Sequence, residues 1–124
     1  MTEKTLQFLG LMRRAGKLPL GQSRVEEAVR KRQAALLLLA SDAGRDIRRK
    51  TERLASESGV VLQTLPGKRE EISHFVGSRN TAVLAVTDAG FARALEKRLA
   101  EEQRQTAEDA IEKERTKAAR RNGV

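Results

Sequence analysis

An unbroken apolar run from Ala34 to Ala40, with the sequence AALLLLA, is the feature that most limits how this chain can fold. The run has the length of a strand, and its side chains show no alternation of apolar and polar character. A strand without such alternation is typical of a sheet that is covered on both faces. The run is far shorter than the roughly 20 residues of a membrane-spanning helix. It therefore predicts a central strand with helices packed on both sides of the sheet.

Helical and extended patterns alternate along the rest of the chain, and glycines stand where several of them end. Apolar residues at helical spacing predict a first helix that ends at Gly16, then a short extended piece, then a second helix after Gly21. The later elements are predicted as a helix from about Gly44 to Ser58 capped by Asp42, a strand from Val60 to Leu65, a short helix from Glu70 to Val76, a strand from Thr81 to Asp88, and a final helix capped by Asp88. The predicted fold class is α/β, a three-layer α-β-α sandwich with a mixed sheet of about four strands, plus a long charged C-terminal helix or tail.

The charge of the chain is unevenly distributed. The 124 residues include 25 Lys and Arg against 17 Asp and Glu, a formal net charge of +8. After Leu99 the apolar stripe of the last helix ends and the two signs balance at six each, so the excess lies on the preceding body. We predict a folded sandwich domain over residues 1–99 and a charged helical extension over residues 100–124 that frays or is disordered at its end. A compact basic body favours a polyanionic partner, most often nucleic acid.

Catalytic and metal-binding chemistry finds little support in the sequence. Cysteine is absent and His74 is the single histidine, which argues against a thiol nucleophile and a zinc site. His74 has no evident acid or base partner, and no glycine-rich phosphate loop suits a nucleotide cofactor. We predict no enzyme activity, no metal and no cofactor. The start MTEKTLQF lacks the pattern of a signal peptide, so we predict a cytoplasmic protein, and we expect a monomer.

Two polar segments are candidates for binding. The helix start from Gly21 to Arg24 offers free backbone N–H groups and the positive end of the helix dipole, and a glycine lets a phosphate approach the backbone. Lys17 precedes this start, and Lys31 lies on the same side of the helix as Arg24. The second segment is the loop GSRNT, residues 77–81, directly before a buried strand. Both segments also allow a purely structural interpretation. A further arginine stripe is typical of a solvated helix face: Arg45, Arg49 and Arg53.

The body of the chain resembles a known family over two long stretches, LGLMRRAGKLPLGQSRVEEAVRKRQAALLLLASDAG and GKREEISHFVGSRNTAVLAVTDAGFARAL. The segments RAGKL, LLLASDA and AVTDAGFA, with the glycine before the second helix, resemble the kink-turn RNA-binding family of ribosomal proteins. That family includes the archaeal L-seven-Ae and the eukaryotic L-thirty-e proteins, and this chain is most similar to its small bacterial members of the YlxQ type. The resemblance implies an α-β-α sandwich, no catalytic activity, and structured RNA, either ribosomal or kink-turn-containing, as the partner.

The resemblance also implies which residues contact RNA, because the family binds through its second helix and the loop before its last strand. The matching positions here are Lys17, Gly21, Gln22, Ser23, Arg24, Glu27, Lys31, Arg69, Ser78, Arg79, Asn80 and Thr81. Three of them depart from the family pattern: Ser23 replaces an asparagine, Arg24 a glutamate and Glu27 a lysine. Arg24 cannot accept hydrogen bonds from guanine, but it can donate two to guanine O6 and N7 or bind a phosphate. Glu27 weakens phosphate contact unless Arg24 or Lys31 neutralises it.

The charge and the resemblance together favour a non-catalytic protein that binds structured RNA. Two alternatives remain open from the sequence. One is the RNA-recognition portion of an RNA-modifying system, for which the natural reading frame would extend further. The other is a ribosome-associated adaptor that binds a protein partner through the charged terminal helix.

Overall fold

The computed structural model describes residues 1–121 of the chain, and within them it contains five helices and three strands. In chain order the elements are α1 (Glu3–Arg14), α2 (Gln22–Arg30), β1 (Leu36–Leu39), α3 (Arg45–Ser58), β2 (Leu62–Thr64), α4 (Arg69–Val76), β3 (Val83–Val86) and α5 (Ala89–Arg121). Each of them corresponds to a predicted element. The strands are shorter than the apolar runs that predicted them, although Leu65 still donates its N–H to the carbonyl of Leu39 beyond the end of β2.

The strands form a mixed sheet in the order β2-β1-β3, with β1 in the centre. β1 runs parallel to β2 and antiparallel to β3, so that Leu38 is paired with Gln63 on one side and with Leu84 on the other. All four leucines of β1 are 0% exposed, which confirms the prediction of a central strand buried on both faces.

The short extended piece before α2 takes the place of a fourth strand. It lies beside β3 and pairs with it through a single bridge between Leu20 and Leu84. The carbonyl of Pro19 accepts a hydrogen bond from the N–H of Ala85 at 3.1 Å. Proline has no N–H to return, so a continuous ladder cannot form there. The sheet therefore has three strands and one irregular edge rather than about four strands.

Helices cover both faces of this sheet. α1, α4 and α5 pack on one face and α2 and α3 on the other. Leu36 and Leu38 belong to the first hydrophobic cluster and Leu37 and Leu39 to the second, as the two-residue period of a strand requires. The predicted α/β fold, with helices on both sides of a mixed sheet and a long C-terminal helix, is confirmed.

One edge of the sheet gathers the beginnings of three helices. β1 and β2 end at this edge, and the antiparallel β3 begins there. α2 starts at it because the N–H of Gly21 donates to the carbonyl of Val83, the first residue of β3, at 3.0 Å. α3 and α4 start at it because each follows one of the two parallel strands after a short connection. We refer to it below as the carboxyl edge.

α5 begins at the opposite edge and runs back across the sheet to the carboxyl edge. Asp88 accepts a hydrogen bond from the N–H of Phe91 at 2.8 Å, which confirms the predicted cap. Further along, one carboxylate oxygen of Glu102 accepts hydrogen bonds from the N–H of Thr2 (3.1 Å) and from the hydroxyls of Thr2 (2.6 Å) and Thr5 (2.5 Å). Glu102 thus ties α5 to the beginning of α1.

This tie makes the stability of the fold dependent on pH. Burial raises the pKa of Glu102, but the hydrogen bonds from Thr2 and Thr5 outweigh it, so the pKa lies below the ordinary value of 4.5. A carboxyl whose pKa is lower in the folded protein than in the unfolded chain stabilises the fold above its unfolded pKa and loses that effect on acidification. We expect Glu102→Gln to lower the urea midpoint at pH 7 and to reduce the loss of stability between pH 7 and about pH 3.5. An equal loss in Glu102→Gln and in the exposed control Glu101→Gln would contradict this assignment.

The remainder of α5 extends from the body. Every side chain from Gln103 to Ala119 is exposed, and the helix continues to Arg121. That the extension over residues 100–124 frays or is disordered at its end stays a prediction, and residues 122–124 lie outside the described residues. Within residues 1–121 no helix is both long and apolar enough to cross a membrane.

Candidate nucleic-acid interface

The start of α2 presents free backbone donors at the carboxyl edge. Its N-cap is Gly21, with φ +87° and no side chain that accepts a hydrogen bond from the first turn. A positive φ of this kind is strained for residues with a Cβ, and no atom lies within 4 Å of where that Cβ would be. Ser23 and Arg24 are exposed just beyond it. An anion can therefore approach the first N–H groups of α2 without meeting a side chain at the cap.

Charges along the exposed side of α2 are already partly paired. Lys31 Nζ lies 2.8 Å from Glu27 Oε1. The hydrogen bond from Lys31 and its positive charge lower the pKa of Glu27. The Glu27 carboxylate therefore stays ionised, and the Lys31 ammonium group balances its charge. Gln22 Nε2 donates to Glu26 at 3.1 Å. Arg24 forms no ion pair within residues 1–121, so its guanidinium is the one left to act on a ligand at this helix start.

The loop before β3 divides into two residues that hold its shape and two that face outward. The N–H of Thr81 donates to Ser73 Oγ at 2.8 Å, and the Thr81 and Ser78 hydroxyls share a short hydrogen bond. Asn80 has φ +51°, a conformation that asparagine tolerates better than most residues. Arg79 and Asn80 are exposed. The loop thus displays one guanidinium and one amide from a backbone fixed by Ser73.

Asp42 and Arg69 join the end of β1 to the beginning of α4. The prediction that Asp42 caps α3 is wrong: α3 has Gly44 as its N-cap, with no side-chain hydrogen bond. Asp42 Oδ1 instead accepts the N–H of Arg69 at 2.8 Å, and Asp42 Oδ2 lies 3.5 Å from Arg69 Nε. That backbone hydrogen bond is the main cause of the lowered pKa of Asp42, with the Arg69 charge adding to it. The carboxylate of Asp42 therefore orients Arg69 beside the loop, and the two line a shallow groove with Ser78, Arg79 and Asn80.

The beginning of α3 adds basic side chains that the sequence alone did not place at the interface. Gly44 stands at the carboxyl edge, so Arg45, Arg48 and Arg49 lie in the first turns beyond it. Arg48 Nη1 donates to Thr64 Oγ1 at 3.4 Å, at the end of β2. Arg45, Arg49 and Arg53 are all exposed, which agrees with the prediction of a solvated face. Helical spacing shows which residues share a side of the helix but not which edge of the sheet the helix begins at.

The predicted site residues fall into two groups in space. The start of α2, Arg69 and the loop residues 78–81 all lie at the carboxyl edge. Arg69 and residues 78–80 line one groove there, whereas the Arg24 side chain lines a different one. Lys31 lies two turns along α2, where it lines a groove with Arg24, Glu27, Arg13 and Thr87. Lys17 is farther away, because its carbonyl pairs with Thr87 at the other end of β3, four residues from the Gly21 contact. At about 3.3 Å per residue this separation is about 13 Å along the strand.

Within residues 1–121 no group of three or more potential ligands is placed to hold a metal ion. His74 is exposed beside the loop, and its ring packs edge-on against Phe75 with centroids 5.4 Å apart. The charged groups gathered here are mainly guanidinium groups and backbone N–H donors, which are binding groups for phosphate and for base edges.

Comparison with known proteins identifies the family of the chain. A family model described as the Ribosomal protein L7Ae/L30e/S12e/Gadd45 family matches residues 3–96. The chain belongs to this family. Curated protein sequences give no significant match.

Two solved structures are similar to this member of the L7Ae/L30e/S12e/Gadd45 family. A protein of unknown function from Bacillus halodurans is 32% identical, with a TM-score of 0.71 over 77% of this chain and 96% of that chain. The 15.5kD RNA binding protein of Giardia lamblia is 17% identical, with a TM-score of 0.63 over 78% of this chain and 89% of that one. At this low identity the second likeness shows the fold alone.

Proposed function

We propose that this protein is a non-catalytic, cytoplasmic RNA-binding protein that recognises structured RNA, of kink-turn type or within ribosomal RNA, at the carboxyl edge. Within the family we group it with the small bacterial members of the YlxQ type. We propose that it acts as part of a ribonucleoprotein. The observation that supports the proposal is that the uncapped start of α2, Arg69 and Arg79 all lie at one edge of the sheet, with Arg24 in the first turn of α2. Family membership supports it, because the family generally binds kink-turn RNA.

The chemistry of these groups suggests a division of roles. The uncapped start of α2 and Arg69 suit phosphate oxygens, since backbone N–H groups and guanidinium groups both donate to anions. Arg24 and Arg79 can each donate two hydrogen bonds to guanine O6 and N7, and Asn80 can both donate to and accept from a base. Glu27, paired with Lys31, no longer repels the backbone strongly. The departure at Glu27 is therefore compatible with RNA at this helix.

The proposal is tested by titrating the protein with three RNAs at two salt concentrations. These are a kink-turn stem with its tandem G·A pairs, the same stem with those pairs replaced by Watson–Crick pairs, and a plain duplex. We expect the kinked stem to bind most tightly and all affinities to fall with salt, by about 0.9 in log K per log salt unit for each phosphate contact. Equal affinity for the three RNAs would contradict kink-turn recognition, and affinity that does not change with salt would contradict the proposed function.

Arg24→Ala tests the helix start directly. A bidentate arginine contact contributes about 1–3 kcal/mol, so we expect the affinity for the kinked stem to fall by roughly 5- to 150-fold. The matched control is Arg30→Ala, which removes the same charge from the exposed far end of α2. We expect the control to weaken binding much less, in the same titration. Equal losses in the two variants would mean that Arg24 acts only through net charge.

A further inference from the structure

We propose that the C-terminal part of α5 is an arm that binds backbone phosphates of the same RNA, at a distance from the carboxyl edge. The arm is defined as residues 103–121. The inference rests on the proposed function, and it assigns a second contact surface outside residues 3–96, the part that matches the family model.

The first observation is the place where the arm leaves the body. α5 starts at the opposite edge and reaches the carboxyl edge, where it forms one wall of a groove. Thr106 and Asp109 line that wall, and Ser41, Thr64 and Pro66 line the other. Ser41 immediately precedes Asp42, the partner of Arg69. The arm therefore projects from the same edge that carries the candidate interface, next to the beginning of α4.

The second observation is that the base of the arm is held firmly. Leu95 and Leu99 are buried against the sheet, and Glu102 accepts its three hydrogen bonds from Thr2 and Thr5 one turn later. A helix fixed in this way continues in a set direction at 1.5 Å per residue. Arg115 comes 13 residues after Glu102, which places it about 20 Å beyond the anchor.

The third observation is the separation of charge along the arm. From Glu101 to Glu114 the sequence has six acidic residues and only two basic ones. After Glu114 it has four basic residues and no acidic one up to residue 121: Arg115, Lys117, Arg120 and Arg121. Arg115 and Lys117 are exposed. An acidic stretch repels phosphates within a Debye length of about 8 Å, whereas the basic end attracts them.

The position of the arm, its anchoring and its charge together favour RNA as the partner that binds its basic end. RNA bound at the carboxyl edge continues past that edge as a stem, and its phosphates then come within reach of the distal part of the arm. The acidic stretch keeps the middle of the arm away from the RNA, so that contact occurs only about 20 Å out. A short RNA stem ends before it reaches the basic end of the arm, whereas a long stem extends far enough to contact it.

The test varies stem length and charge separately. Each stem of the kinked RNA is in turn kept short or extended to about 16 base pairs, the length that double-stranded RNA-binding domains span. The protein is compared with Arg115→Gln/Lys117→Gln and with a control, Arg93→Gln/Lys97→Gln. The control removes the same two charges from exposed positions at the body end of α5.

We expect wild type and the control to bind one of the extended RNAs more tightly than the short one, and Arg115→Gln/Lys117→Gln to lose this advantage. Two phosphate contacts change the salt slope by about 1.8, so the advantage of the long stem should fall about tenfold between 50 and 200 mM salt. If wild type binds the short RNA and gains nothing from either extension, the arm proposal is overturned and the proposed function stands. An advantage that persists in Arg115→Gln/Lys117→Gln also overturns it. Failure of wild type to bind even the short kinked RNA overturns the kink-turn form of the proposed function, and with it the arm proposal.

Discussion

Replacing Leu38 by alanine is expected to destabilise the protein by about 3 kcal/mol, within the 2–5 kcal/mol found for buried leucines. Leu38 is 0% exposed in the middle of the central strand, and it belongs to the cluster formed with α1, α4 and α5. The substitution removes buried apolar surface and leaves a cavity that the paired strands on both sides prevent from closing. Because small domains have only about 5–15 kcal/mol of stability, this is a large fraction of the total.

The measurement is the urea midpoint of Leu38→Ala beside a matched control. Leu11→Ala makes the same chemical change at a leucine of α1 that is 47% exposed. We expect the control to change the free energy of unfolding by about 0.5 kcal/mol or less, as is usual for surface positions. Similar losses in the two variants would show that β1 is not the buried centre of the sheet.

Gly10→Ala is expected to destabilise the protein by about 2 kcal/mol, although alanine is the better helix former. Helix propensity alone favours alanine over glycine by about 1 kcal/mol in a helix interior. At Gly10, however, the new Cβ would lie 2.7 Å from the carbonyl oxygen of Phe75. That oxygen belongs to the backbone of α4 and cannot rotate away, so α1 and α4 must move apart.

The sign of this effect is the informative result, and thermal or urea unfolding measures it. Gly90→Ala is the control, because its new Cβ would meet only a side-chain atom, Asp88 Oδ1 at 3.2 Å, which has to shift by only a few tenths of an ångström. We expect Gly90→Ala to cost clearly less than Gly10→Ala. Stabilisation by Gly10→Ala would contradict the close contact of the two helices. Since α4 carries Arg69 and leads into the loop before β3, the same variant should also bind the kinked RNA less tightly.

Local patterns along the chain were sufficient for most of the fold. The leucine run of β1 has no polar position, and only a strand covered on both faces allows that. Asp88 and the apolar spacing after it predicted the start of α5 because capping depends on neighbours three residues away. Local patterns do not show whether the extended piece before α2 is a regular strand, since Pro19 allows an extended backbone but not a full hydrogen-bond ladder with β3.

The candidate site was predicted less completely, because it is built from contacts between distant segments. Asp42 has the local features of a cap for α3, yet its carboxylate binds the N–H of Arg69, 27 residues later. The sequence shows an aspartate at the end of a buried strand, but it does not show which residue binds its carboxylate. Lys17 comes just before the Gly21 helix start in the sequence, but the extended backbone between them places the two residues beside opposite ends of β3.

The sequence by itself determined the order of helices and strands, the burial of β1, the membership in a family, and the identity of most residues proposed for RNA. The elements and the burial of β1 follow from periodicity, capping and side-chain chemistry, which act over a few residues. The family and the residues proposed for RNA follow from the resemblance of whole segments of the chain. Only the tertiary structure decided that α2, α3 and α4 begin at one edge, that Asp42 orients Arg69, and that α5 is anchored by Glu102 before it projects from that edge. Those features depend on strand order and on the direction of each strand, and both are set by packing between segments that lie far apart in the chain.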